Sequence, residues 1–582
     1  MAKSLADHFR NPMRLVWIWL FACFWLVLLV PLFARAQTRT TDLWHPYAEW
    51  TYENIAYSGN PFDIDAIAAF SDGIRVGLFY DGGNTWKLRY MCSKPGTFSF
   101  KVSSANADLD GRSGTVICAD TAGRPGPLVP GGPDGTLFLD AASGHPVIPA
   151  WAMMPFLFKG PYQPDEPTAD QLETWLDNHI GSADGTEGAG FRGAHFQGPA
   201  NRWYDHACDG SRKDCRDAVN PDPETFRRYE AVFAKLAERN AYAHFWMFWD
   251  CERDKCDQFH DGPVRSWRAR LKSFFRRSFP RGSFEKNRRR QLRLRKYMAR
   301  RWGAISNWMV GEGFDNFEDD TAEYANRWFH DLKDHMPWHH FIGMRGYKNR
   351  LDRVICTDCN YASFESQEEK GTMTYERWRA SRAAAPDRPV FEEDRYRYIR
   401  NHPKGPKNCD DQLMYMWGQA MNLGVGAIYG YLEGSSGHFS RYEGYPEEWA
   451  RGIRAWHDFW YATPTDPHRR FLSEMKYCND LSPDSASICV RGESYVFHRE
   501  NASSLQFDIS GLKSASAKAV ALNAKSGRFH DLGQFSRNRT SWSAPTNSAW
   551  VLAIGEFPTS PGSPSEPAPN LPAQTNLRIG EK

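Results

Sequence analysis

Between His145 and Ala462 the chain alternates short apolar runs with longer amphipathic ones, and this rhythm restricts the fold more than any other feature. The runs are "PVIPAWAMM", "GFRGAHFQG", "AHFWMFWD", "ISNWMVGE", "HFIGMRG", "YASFES", "PVFEED" and "GVGAIYGYL". They are short and mostly apolar, as strands covered on both faces must be. The segments between them, such as "PETFRRYEAVFAKLAERN", "TAEYANRWFHDLKDH" and "CDDQLMYMWGQAMNL", carry apolar residues at helical spacing. Strands joined through helices pair in parallel, and eight such units close into an α/β (β/α)₈ barrel, the TIM-barrel architecture.

The flanks have a different texture. From Thr38 to Asp140 short β runs stand between turn residues: "IRVGLFYDGGNTWKLRYMC", "GTFSFKVSS" and "GTVICAD". That spacing predicts an N-terminal β-sandwich over residues 37–140, with the barrel over 141–465. "GRPGPLVPGGPDG" reads as a linker or long loop. Short β runs return in "SICVRGESYVFHR", "SLQFDISGL", "AKAVALN" and "AWVLAIGE", predicting a C-terminal β-sandwich over 466–557. The Pro/Ser-rich tail, 558–582, is expected to be disordered.

The first 36 residues place Arg10 and Arg14 before an apolar run from Leu15 to Phe33, followed by Ala34-Arg35-Ala36. This is the pattern of a signal peptide, or of an anchor if it stays uncleaved. The expected location is therefore secreted, periplasmic or at the cell surface, with membrane contact only through an uncleaved anchor. Cysteine usage agrees with an oxidising compartment. Cys92/Cys118, Cys208/Cys215, Cys251/Cys256, Cys356/Cys359 and Cys478/Cys489 read as disulfide loops, with Cys409 left over. "CTDC" has zinc-like spacing but no second ligand pair nearby, and nothing in the sequence calls for a metal or cofactor.

A net charge of +2 argues against a nucleic-acid-binding role for the whole protein. One basic stretch departs from that balance: residues 264–301 hold sixteen Arg or Lys against Glu285 alone. A polyanion patch and a solvated outer helix face are both open there, the second being the commoner outcome.

In a (β/α)₈ barrel, functional side chains project from the carboxyl ends of the strands. The fourth run ends "NWMVGEGFD", putting Glu312 where the strand leaves the barrel; the seventh ends "RPVFEEDRYR", offering Glu393 or Glu392. Alternation along a strand sends only one of that pair inward. Two carboxylates across one mouth suit glycoside hydrolysis, one protonating the leaving oxygen while the other attacks or activates water. Further candidates for contacting substrate are Asp250, which ends the third strand, with Trp249 beside it, and His195, Tyr361 and Tyr431, which follow the second, sixth and eighth strands; Trp246 could add an aromatic platform. There is no HExxH, GxSxG or GxxxxGK[ST] motif to support other chemistries.

With these residues in place the chain resembles secreted bacterial glycoside hydrolases of the apiosidase-like type. "GLFYDGGNTWKLRYMCSKPGTFSF" is similar to the β-sandwich that precedes such barrels. "NWMVGEGFD" and "RPVFEEDRYR" look like their strand-four and strand-seven signatures. "ALNAKSGRFHDLG…SAPTNSAWVLAIG" is similar to their collagen-binding-type C-terminal β-domain. The resemblance implies a polysaccharide or oligosaccharide substrate and a retaining mechanism, with Glu312 as acid/base and Glu393 as nucleophile or base. The related clan has Asn before the strand-four Glu; here Gly311 removes that side chain and its expected hydrogen bond to the sugar. A carbohydrate-binding or surface protein without turnover is the alternative reading of the same scaffold.

Overall fold

The structure, a computed structural model, describes residues 37–555 except 56, 133, 159–164, 183–187, 199, 205–219, 249–280, 314–321, 347–353, 365–374, 400–408, 434–438, 441 and 462–472. The N-terminal apolar run, the Pro/Ser tail, Trp249 and Asp250 lie outside the described residues, as do Cys208, Cys215, Cys251 and Cys256.

The expected barrel is present. Its strands are β1 (Ala150–Met153), β2 (Gly193–Gln197), β3 (Tyr242–Phe248), β4 (Trp308–Gly313), β5 (Ile342–Gly343), β6 (Ala362–Phe364), β7 (Val390–Ile399) and β8 (Gly426–Glu433). They run parallel in the order β5-β4-β3-β2-β1-β8-β7-β6, and the β1–β8 ladder joins first strand to last. Around them lie α1 (Ala169–His179), α2 (Pro223–Glu238), α3 (Arg281–Trp302), α4 (Ala322–Lys333), α5 (Tyr375–Ala384), α6 (Cys409–Ala420) and α7 (Glu447–Tyr461). Local chemistry starts these helices. Thr168 and Gln171 form a capping box at α1, while Asp222 caps α2 with Pro223 in its first turn.

Strand parity sorts the side chains. On β3, Phe245 faces outward, with Trp302 and Trp308 packed edge-on or tilted against it. His244 and Trp246 face the barrel axis, where both rings meet His195 of β2.

The N-terminal region forms two sheets, one of five strands (from Gln37–Leu43 at one edge to Arg75–Gly77 at the other) and one of three (Ala48–Glu53, Thr85–Tyr90, Phe79–Tyr80). Trp50, Phe70, Tyr90 and Phe100 fill the space between, and a Cys92–Cys118 disulfide ties the region together. The following Pro/Gly-rich segment, read as a linker or loop, instead begins a three-stranded antiparallel sheet: Leu128–Gly131, Leu137–Asp140 and His145–Val147. Pro130 and Pro146 fall on its two edge strands, where a missing N–H costs no ladder bond. Phe138 of its central strand packs on Phe341 and Tyr361, closing the barrel floor.

The C-terminal β-domain is one six-stranded antiparallel sheet. Its long strands, Ser494–Gln506 and Ser541–Ile554, shift register near Arg499–Ser504. One side packs a core of its own around Phe497, Phe507 and Trp542, and the other adds Val496, Leu522 and Val551 to the barrel's core. Disulfides join Cys478 to Cys489 here and Cys356 to Cys359 in the barrel, as their spacing suggested.

Where its side chains are described, the basic stretch is mostly buried or paired with acids rather than a polyanion patch or a solvated face, Arg289 being exposed. Arg295 and Arg301 of α3 are fully buried. Arg301 and Arg89 of the N-terminal region grip Glu230 of α2 from two sides, at 2.5 and 3.1 Å and at 2.9 and 3.1 Å, and Trp302 Nε1 donates to it at 3.0 Å. Burial alone would raise the Glu230 pKa; the two guanidiniums override that and hold it at about 2. Arg293 and Arg300 pair with Asp63 and Asp65, so α3 is the seam between barrel and N-terminal region.

Candidate active site

Three inward positions on β3, β4 and β7 build the candidate site. Val390–Phe391–Glu392 ladders regularly against β8, but the register then jumps to Arg395. The irregularity falls at Glu393, whose side chain enters the barrel axis.

Trp246 Nε1 donates to Glu393 Oε2 at 2.6 Å, and the Tyr361 hydroxyl donates to Oε1. His244 Nε2 lies 3.7 Å from Oε1, an electrostatic contact rather than a hydrogen bond. Burial pushes the Glu393 pKa up; the His244 imidazole and then the Tyr361 and Trp246 donors more than compensate, leaving it below the ordinary carboxylate value. A carboxylate is thereby kept charged in a dry interior.

The surrounding residues support that arrangement. His244 Nδ1 meets His195 Nδ1 at 2.8 Å, so one ring donates and the other accepts. Arg345, just beyond β5 and buried, places its guanidinium 5.6 Å from the Trp246 ring centre. Gly311 leaves room for the carboxylate: a Cβ there would stand 2.6 Å from Glu393 Oε2. An Asn at this position would therefore collide with Glu393, which gives the departure at Gly311 a steric reason.

Glu392 and Glu312 have the opposite parity. Glu392 is buried on the helix side, accepting from Ser381 Oγ of α5 at 3.0 Å. Of the two adjacent acids, Glu393 is the one that faces the axis. Glu312 follows the inward-facing Gly311 and is also buried; its Oε1 accepts from the Tyr324 hydroxyl of α4 at 3.1 Å, and Arg295 Nη2 donates to that hydroxyl at 3.2 Å. The structure brings Glu393, Tyr361, His195 and Trp246 together and turns the Glu312 carboxyl toward α4.

Three expected substrate contacts are relocated. His195 is fully buried in the stack under Trp246, away from any exposed surface. Tyr361 is fully buried as a partner of Glu393. Tyr431 has outward parity, stacked on Tyr445 at 5.2 Å and edge-on to Trp449 at 6.1 Å. His244 and Arg345 were not singled out from the sequence. His244 stands two positions before Trp246 and shares its face, and Arg345 is the last residue but one of "HFIGMRG", so strand alternation and strand-end position were the available signals.

Comparison with known proteins agrees with this architecture. A family model described as "Domain of unknown function (DUF5060)" matches residues 40–105, within the N-terminal region. Among curated proteins none matches the chain. Among solved structures, a candidate glycoside hydrolase from Bacteroides vulgatus ATCC 8482 is similar at a TM-score of 0.66 and 15% identity, over 90% of this chain and 100% of that one. A glycoside hydrolase family 5 protein from the same organism is similar at 0.55 and 14%, over 74% and 93%. At these identities the likeness is one of fold.

Proposed function

We propose that the protein is an exported glycoside hydrolase of the apiosidase-like type, acting on a polysaccharide or its oligosaccharide fragments. The observation that carries this reading is Glu393, a buried carboxylate on the seventh barrel strand held ionised by converging donors. A charged carboxylate below a sugar ring can attack the anomeric carbon or stabilise its oxocarbenium-like charge. In the retaining form of the reaction, Glu393 bonds to the anomeric carbon as the glycosidic C–O bond breaks. Glu312 gives its proton to the departing oxygen, then takes one from the water that releases the sugar. For that role the Glu312 carboxyl must leave Tyr324 and turn to the mouth. The fold shared with glycoside hydrolases supports the same reading by analogy.

The second reading is a glycan-binding barrel without turnover. It is favoured by the hydrogen bonding of Glu312 to Tyr324 on the helix side, which leaves Glu393 the one inward-facing member of the pair.

Turnover of a glycan panel and of aryl glycosides by wild type, Glu312→Gln, Glu393→Gln and Glu392→Gln separates the two. The hydrolase reading expects Glu393→Gln to lose turnover on all substrates. Glu312→Gln should lose about 10²–10⁴-fold on natural glycans and much less on aryl glycosides whose leaving group needs no proton. Glu392→Gln should retain the wild-type rate per folded molecule. Binding without turnover in every protein, wild type included, establishes the second reading.

A further inference from the structure

Away from the barrel axis, a cavity of about 830 Å³ opens where the floor sheet, α5 and the start of the C-terminal domain meet. Its size suits a small ligand. Three cations line it, Arg379, Arg382 and Lys476, against one acid, Asp134, which is exposed.

The state of these cations sets the cavity apart. Elsewhere in the chain, buried arginines such as Arg89, Arg239, Arg295 and Arg301 are matched by carboxylates. Among the described residues, none of the three lining cations has an ion-pair partner. Arg382 is 9% exposed, and its Nη1 donates to the Arg388 carbonyl at 3.1 Å. Burial lowers its pKa, with Tyr477 and Asp134 opposing only in part. A largely buried guanidinium with donors to spare at the wall of an open cavity is placed to take an anion. Arg379 lies 5.1 Å from the Tyr477 ring centre, a stacking that pre-sets its planar fork.

The rest of the lining is apolar: Leu137, Leu423, Met475 and the alanines of α5. A fitting ligand therefore carries an anionic group for the guanidiniums and a C–H-rich body for Tyr477 and Met475. Sulfate or phosphate alone would leave the apolar wall uncovered. We infer that this cavity binds a carboxylate-bearing sugar, a hexuronate residue of an acidic glycan, with its carboxylate on Arg382 and Arg379. The sugar identity rests on the hydrolase reading above; the anion site does not.

The test is calorimetric titration of the full chain at low salt with short oligogalacturonides, neutral galactan oligomers, acetate and inorganic phosphate. The proteins are wild type, Arg382→Gln, Arg379→Gln and Glu393→Gln. The expected result is oligogalacturonide binding equal in wild type and Glu393→Gln and at least about tenfold weaker in both arginine variants. Neutral oligomers and the two simple anions should bind far more weakly than the uronate. Arg379 is exposed, so its variant tests the site even if Arg382→Gln fails to fold. Four results overturn the proposal: no uronate binding, equal binding of neutral oligomers, equal binding of acetate or phosphate, or loss in Glu393→Gln with retention in Arg379→Gln. Absence of turnover on every glycan would remove the hydrolase reading without changing any of these readouts.

Discussion

The tightest test of the axial site is a single added carbon at Gly311. In Gly311→Ala the new Cβ would lie 2.6 Å from Glu393 Oε2, 2.9 Å from Oε1 and 2.8 Å from Trp246 Cδ1. An ordinary contact begins near 3.4 Å, so the carboxylate must retreat by about 0.8 Å and the indole by about 0.6 Å. Neither has slack, because both are fully buried and bonded to each other at 2.6 Å. The retreat should break or stretch that bond, worth about 1.5–3 kcal/mol for a charged acceptor. Loss of a donor to the charged form raises a depressed pKa, so the acidic limb of the pH–rate profile should move to higher pH. Misplacement of an attacking group on this scale also costs about 10²-fold in kcat/KM. The assay is a pH–rate profile on an aryl glycoside, with a melting curve to correct for the folded fraction. A variant with wild-type turnover and an unmoved acidic limb would refute the reasoning. A lower melting temperature with unchanged activity per folded molecule would make Gly311 a packing residue only.

Two further outcomes follow from the same geometry. His195→Phe keeps the aromatic stack but removes the Nδ1 contact that orients the His244 ring; the acidic limb should move to higher pH with about a tenfold loss in kcat/KM, read from the same profile. Glu230→Gln should destabilise the protein by about 3 kcal/mol at pH 7, from a fall of 4.5 to about 2 in its pKa. Because the folded-state pKa is depressed, that contribution is complete above about pH 4.5 and fades as pH falls toward 2, so urea midpoints of variant and wild type should converge in acid.

The barrel was legible because its signal is local and repeated: each apolar run and each amphipathic helix declares itself within about ten residues. The carboxylates on β4 and β7 were legible for the same reason, as breaks in apolar runs. Their orientations were not. In "VFEED" two adjacent acids have opposite parity, and which one enters the axis depends on a register shift that only pairing with β8 reveals. The partners of Glu393 come from β3 and from the residue just before β6, 147 and 32 residues away, and no spacing rule joins them. The basic helix was misread for a related reason. Its arginines find Asp63, Asp65, Asp81 and Arg89's partner Glu230, and a charge run shows nothing of acids that folding brings to it from elsewhere.

These long-range contacts bear on why the N-terminal region and the barrel belong together. Arg89 reaches the barrel through Glu230, but the floor sheet reaches further. Phe138 stands 6.5 Å from the Tyr361 ring and 4.6 Å from Phe341, whose ring in turn lies 6.3 Å from Tyr361. Tyr361 holds Glu393 from below, and its hydroxyl oxygen lies 3.1 Å from the Val310 carbonyl of β4. A packed aromatic interior transmits displacement because it has few voids to absorb it. The sheet ahead of the first barrel strand therefore acts as the base on which the tyrosine under the charged carboxylate rests. The N-terminal region is joined to the site by contact as well as by chain.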